Sequence, residues 1–282
     1  MAKNNLIIQT KSPAFFVLVI SATVLLSCKK DSDNQPPPVN SRPAALLRSL
    51  KWDDDKESHF YYNTDSTIKE RIDKFGAISD KIHFNWENGK MVQHHQEISM
   101  HTNMYTYNNL NQLVSIRNRY KDLPSENGYE LKFDYHSSGQ LLFMTYHQIN
   151  EAGSKMIQRT FYTFNPDKTL QKASSFDASN KKQIDFTIES YSDTCDFLPW
   201  VYISPSLHVL YQIHNYPVLA NLRKYPTKIT QQLYNQDGSI ASTVIYENKP
   251  VINEYRIMKL NQEIKYPANP SHNGTVSVDY FY

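Results

Sequence analysis

The feature that most constrains this chain is a short phrase that it repeats, clearest at Phe133-Asp-Tyr135-His-Ser-Ser-Gly139-Gln-Leu141. Aromatics at i and i+2 point to one face of a strand, and Gly or Asn at a turn tolerates positive φ. The apolar residue after the turn then starts a return strand opposite an aromatic partner. The phrase therefore encodes a β-hairpin. Variants follow at Phe60-Tyr-Tyr62 with Ser66 and Ile68, Phe84-Asn-Trp86 with Gly89 and Met91, and Tyr105-Thr-Tyr107 with Asn111 and Leu113. Two more are Tyr162-Thr-Phe164 with Lys168 and Leu170, and Tyr234 with Gly238 and Ile240.

Turn positions 66, 89, 111, 139 and 168 lie 22 to 29 residues apart, room for two strands and two turns. Six such hairpins predict at least twelve strands, paired almost wholly with their sequence neighbours. The fold class expected is mainly β: an extended antiparallel β-meander in a curved or twisted sheet, with one short helical or irregular insertion. Ser66 and Lys168 stand where Gly is expected, and Pro166-Asp167 predicts a looser loop there.

The repeat breaks between about 190 and 226. There Cys195-Asp-Phe197-Leu-Pro199-Trp200-Val-Tyr202-Ile-Ser-Pro205 mixes aromatics with prolines that disfavour a central strand. A short helix over 206–215, capped by Ser206 and closed by Asn215, is predicted next. Phe197, Trp200, Tyr202, Tyr211 and Tyr216 crowd this stretch without serving the repeat, so they are the candidate ligand-binding residues, their ring faces suited to sugar or peptide. The competing expectation is a structural plug at the end or concave face of the sheet.

The N-terminus supplies an address. Lys3 and Lys11 give a positive segment ahead of an apolar run, Ala14 to Leu26, of secretory length and too short for a comfortable span. It ends in Leu25-Leu26-Ser27-Cys28, which resembles the bacterial lipobox. The resemblance implies cleavage before Cys28 and lipidation of its thiol, so residues 1–27 are expected as a lipoprotein signal peptide. Residues 28–44 are expected as lipidated Cys and Pro-rich tether, and 45–282 as a single domain. Loss of Lys3 and Lys11 leaves 28 basic against 28 acidic side chains, so the mature chain has no general electrostatic pull on nucleic acid. Cys195 would then stand without an intramolecular disulfide partner.

Sites of chemistry are scarce in the sequence. His95, Glu97 and His101 would share a face of a single strand, but no further carboxylate or Cys at ligand spacing accompanies them, and a solvent-facing polar strand accounts for them better. Trp52 to Glu57 lacks the Gly and distal Glu of a calcium loop. There is no Gly-x-Ser-x-Gly elbow and no Gly-rich strand–helix junction for a nucleotide cofactor. No metal, cofactor or catalytic residue is assigned.

The turn phrase resembles the YD repeat of Rhs-type proteins. With the lipobox, the tether and Asp196-Phe197-Leu-Pro, the whole mature chain resembles Bacteroidetes lipoproteins of unknown function with YD-like hairpins. The resemblance implies a curved β-sheet and no established activity. The function expected is a lipid-anchored, non-enzymatic module of the outer membrane, on the cell surface or the periplasmic face, binding a glycan, a peptide or an envelope protein. The alternative is a carrier holding an apolar ligand in the concave face of the sheet; an envelope hydrolase ranks below both.

Overall fold

The computed structural model describes residues 45–282 apart from 53–54, 99, 121–127 and 203–215. Sixteen antiparallel strands among these residues close into a single barrel. They run β1 (Ser49–Trp52), β2 (Lys56–Tyr62), β3 (Ile68–Phe75), β4 (Ile78–Glu87), β5 (Lys90–Gln96), β6 (His101–Tyr107), β7 (Leu113–Tyr120) and β8 (Gly128–Tyr135). The second half is β9 (Leu141–Asn150), β10 (Gly153–Phe164), β11 (Leu170–Asp177), β12 (Lys182–Thr194), β13 (Lys224–Tyr234), β14 (Ile240–Asn253), β15 (Arg256–Lys265) and β16 (Gly274–Phe281).

Each strand pairs with its sequence neighbours, as the repeat predicts, and β1 also pairs with β16, with Leu50 opposite Tyr280. That last pairing overturns the open meander: sixteen twisted strands carry the sheet round until its first strand meets its last. The expected helical insertion is also corrected. Its described part is a 3-10 turn at Pro199–Tyr202 and one helical turn, α1 (Tyr216–Leu219). The helix expected at 206–215 lies outside the described residues.

The turn positions carry positive φ as predicted: Ser66 +67°, Asn111 +63°, Gly139 +83°, Lys168 +67° and Gly238 +85°. Ser66 and Lys168 do not loosen their loops. In these five turns the first residue's N–H bonds to the carbonyl four on, and its carbonyl accepts from the positive-φ residue, as in Asn165 N to Thr169 O and Lys168 N to Asn165 O at 2.8 and 2.9 Å. Side chains stabilise the form where Gly is missing. Asp167 Oδ1 accepts from Thr169 N and Oγ1, and Asn165 Nδ2 donates to Thr169 Oγ1; Asn63, Asp65 and Thr67 repeat the pattern. Gly89 differs, sitting with Asn88 in a two-residue turn. Asn180, at φ +63°, closes a seventh turn that the phrase does not mark.

The second aromatic of the phrase serves the neighbouring hairpin. At the barrel end where the insertion leaves the wall, Tyr62 donates to the carbonyl of Leu47 at 2.8 Å, Trp86 Nε1 to Ile68 at 2.7 Å, Tyr107 to Met91 at 3.0 Å and Tyr135 to Leu113 at 2.8 Å. Tyr191 reaches Leu170 and Tyr282 reaches Ile257 in the same way. Ile68, Met91, Leu113 and Leu170 are the post-turn apolar residues of the phrase. At four of its six copies the phrase thus specifies a collar aromatic that ties its hairpin to the neighbouring one, as well as the hairpin itself; Phe164 has no hydroxyl, and Tyr234 bonds to Asp185 and Gln232 instead. Burial pushes the Tyr107 hydroxyl up to about 12, so the collar stays protonated and able to donate.

Candidate functional site: the barrel interior

Alternation decides what faces where. Leu50, Phe60, Ile82, Phe84, Ile116, Leu131, Met144, Phe186 and Ile229 are buried and belong to one apolar cluster enclosed by the wall. The intervening positions point outward and are strongly charged. Lys228 pairs there with Glu189 at 2.6 Å, Lys259 with Asp279 at 3.3 Å, Lys265 with Glu247 at 2.5 Å, and Lys249 with Glu263. A membrane-spanning barrel alternates apolar-out and polar-in, and charges at its lipid midplane cost about 2–4 kcal/mol each. This wall has the opposite polarity.

The described part of the insertion is folded into the interior. Cys195, Phe197, Val201, Tyr216, Val218, Leu219 and Leu222 all join the core, with Val201 and Leu219 at 0% and 1% exposure. Phe197 packs its ring 5.9 Å from Tyr225, and Tyr216 sets its ring edge-on to Tyr105 of β6 at 5.5 Å. Two of the five candidate binding aromatics therefore have their rings in the barrel core. Trp200 and Tyr202 lie on the 3-10 turn, placed here by backbone alone, while Tyr211 and Cys28 fall outside the described residues. The Cys195 thiol is buried and free, and burial pushes it up to about 11, which keeps it a thiol at neutral pH.

Two polar groups inside the barrel went unseen in the sequence. The first holds the insertion: Arg71 of β3 pairs with Asp73 at 2.7 Å, both side chains 3% exposed, and Arg71 Nη1 donates to the carbonyl of Val201 at 2.9 Å. Ser58 Oγ completes the carboxylate's shell at 2.6 Å. The alternation of Arg71 and Asp73 two residues apart was the available signal, since it puts both on one face, but it does not reveal which face is buried.

The second is a chain across β5 to β8. His94 sits 2.7 Å from the Tyr105 hydroxyl through Nδ1 and 2.8 Å from Asn103 Nδ2 through Nε2. Asn103 Oδ1 accepts from Asn118 Nδ2 and from the Tyr129 hydroxyl, which fixes Asn103 Nδ2 as a donor and His94 Nε2 as an acceptor. The imidazole is therefore neutral, with its proton on Nδ1. Burial first, then His101 and His95, lower its pKa to about 3. Such a ring, enclosed by fixed partners, holds shape and moves no protons near neutrality.

The His95, Glu97 and His101 grouping is corrected, because the turn after β5 separates it. His95 bonds to Thr102, Glu97 to His83, and His101 to Asn118 of the interior chain. No three His, Cys, Asp or Glu side chains come together as a metal site among the described residues. The class that fold and interior define is a closed, sixteen-stranded antiparallel β-barrel around an apolar core.

Comparison with known proteins agrees on the architecture. A porin-like protein from Bacteroides uniformis is similar over 85% of this chain and 97% of its own, with a TM-score of 0.53 at 11% identity. A second porin-like protein, from Bacteroides vulgatus, covers 84% of this chain and 98% of its own, with a TM-score of 0.44 at 11% identity. Neither a protein family nor a curated protein matches the sequence. The resemblance to YD-type hairpin repeats is thereby corrected: the chain shares the closed barrel of the Bacteroides uniformis protein, and its repeats are the staves of that barrel.

Proposed function

We propose that the protein is a non-catalytic barrel tethered to the bacterial outer membrane through Cys28, standing in water beside the bilayer, and that it carries an apolar guest such as an acyl chain inside the wall. The observation that supports this reading is the reversed polarity, an apolar interior behind a charged exterior, combined with an insertion laid into that interior without being part of the wall. Lipid chains are insoluble in water, and a closed wall with charges outside is a means of moving them through it. The guest enters by displacing residues 195–202 or 216–222 from the collared end.

Two measurements test the proposal. A Cys28→Ser variant should leave the membrane pellet for the aqueous fraction and show no conductance in planar bilayers; retention with channel activity would mean that the strands span the membrane. A fluorescent fatty acid should bind the purified chain with saturation and speed the reaction of Cys195 with a thiol reagent. If it neither binds nor exposes Cys195, the insertion is a permanent plug and the carrier reading is wrong.

A further inference from the structure

The outward wall over β9 to β13 carries a patch that the packing of the barrel does not require. Phe143, Phe161 and Phe176, on three adjacent strands, point away from the core. Their rings step from Phe143 to Phe161 and from Phe161 to Phe176 at 5.8 Å each, with interplanar angles of 57° and 79°. Phe161 is 37% exposed. Aromatics turned to water at the centre of a charged wall cost free energy unless something covers them.

Cations are interleaved with the rings. The Arg159 guanidinium lies 5.6 Å from the centroid of Phe143 and 6.0 Å from that of Phe161. Lys182 stands 5.7 Å from Phe176 and 5.3 Å from Tyr234. Lys172 and Lys182 share Asp185, at 2.9 and 3.0 Å, and Tyr234 donates to the same carboxylate at 2.9 Å. Arg159 is different. Among the described residues it has no carboxylate partner, its Nε is buried without a hydrogen bond, and Nη2 meets only the Met156 sulfur at 3.9 Å. Asp134, opposite Phe143 in the register, marks the patch's acidic border.

We propose that this patch is a binding ledge for an acidic polysaccharide, with a uronate carboxylate taken by Arg159 and the adjoining sugar face stacked on Phe161. The two halves of the chemistry match the two halves of such a ligand. A guanidinium held against aromatic faces keeps its fork ready for a carboxylate, and CH-rich sugar faces pack on rings. The rings lie in the middle of a sheet and are angled to one another, a geometry that suits a ridged polymer lying along the wall better than insertion into a bilayer, which uses protruding tips. The site is independent of the interior guest, because its side chains are on the opposite face of the same strands.

The test uses the full chain in detergent micelles, with polygalacturonate as the acidic probe and dextran as the neutral one. Polygalacturonate should bind at least tenfold more tightly than dextran. Arg159→Gln and Phe161→Ala should each weaken it at least tenfold at an unchanged urea midpoint. Arg159→Lys should fall between wild type and Arg159→Gln, and Lys249→Gln, remote from the patch, should bind as wild type. Equal binding of the two polymers, or no loss in Arg159→Gln and Phe161→Ala, overturns the proposal. So does displacement of polygalacturonate by micelles doped with phosphatidylglycerol at equal anion concentration, which would make the ledge a lipid-headgroup surface.

Discussion

Replacing Asp73 with alanine should cost the barrel about 3–5 kcal/mol, because it strands the Arg71 guanidinium in the interior without the carboxylate that neutralises it. The pair is 3% exposed on both sides, so solvent cannot take over the lost charge, and a whole domain has about 5–15 kcal/mol to spend. Arg71→Met with Asp73→Leu should cost less than Asp73→Ala alone, since no uncompensated charge remains. The lost bonds to Val201 O and Ser58 Oγ account for about 1 kcal/mol each. Urea denaturation followed by circular dichroism measures these differences. A second probe is Cys195, the remaining thiol in a Cys28→Ser background, buried at 1% exposure where the insertion begins. When reclosing is fast, its modification tracks the open population, so 3 kcal/mol should accelerate it about a hundredfold. A shift below about 1 kcal/mol for Asp73→Ala, or a Cys195 that stays protected while the wall melts, would refute the view that this ion pair locks the insertion in place.

Other consequences can be measured on the same purified chain. Lys168→Gly should raise stability by about 0.5–1 kcal/mol, since a β-carbon at positive φ is strained and Gly is not; an unchanged or lower urea midpoint would contradict that. Tyr135→Phe should lose about 1 kcal/mol with its bond to Leu113 O, whereas Phe164→Tyr should lose nothing at a collar position that already does without a hydroxyl. His94 is held neutral in the fold and titrates near its ordinary value when unfolded. Its contribution is therefore intact above about pH 6.5 and lost progressively as pH falls towards 3, roughly 2 kcal/mol by pH 5. Comparing urea midpoints of wild type and His94→Gln at pH 7 and 5 isolates this loss, and parallel shifts in both proteins would exclude His94 as its source.

The hairpins were legible because their determinants are local. Asn, Asp, Gly and Thr at fixed offsets write the turns, and aromatics at i and i+2 write the strands. Even Lys168 is legible as a turn position, whereas its tight loop is not, because the bonds among Asn165, Asp167 and Thr169 replace what Gly would supply. Closure was not legible. It rests on Leu50 meeting Tyr280 across nearly the whole domain, and no short-range pattern records that a sheet has enough twist and enough strands to join. The side of the wall facing water was hidden for the same reason: Tyr162 and Phe161 are adjacent aromatics, yet one is 6% exposed and the other 37%. The crowding of aromatics near 197–216 pointed to an unusual segment and left open whether their rings would meet a ligand or a core. Phe197 and Tyr216 meet the core.

The seam between β1 and β16 also has a kinetic consequence. Every other pairing joins strands adjacent in sequence, whereas β1 must wait for the sixteenth strand before its outer edge is paired. Until then the sheet is a ribbon with two unsatisfied edges, one of them β16, offering free amides and carbonyls to any extended peptide nearby. The four residues of β1 are thus the barrel's closing stitch, and the sheet is most exposed to wrong partners in the interval before that stitch is drawn.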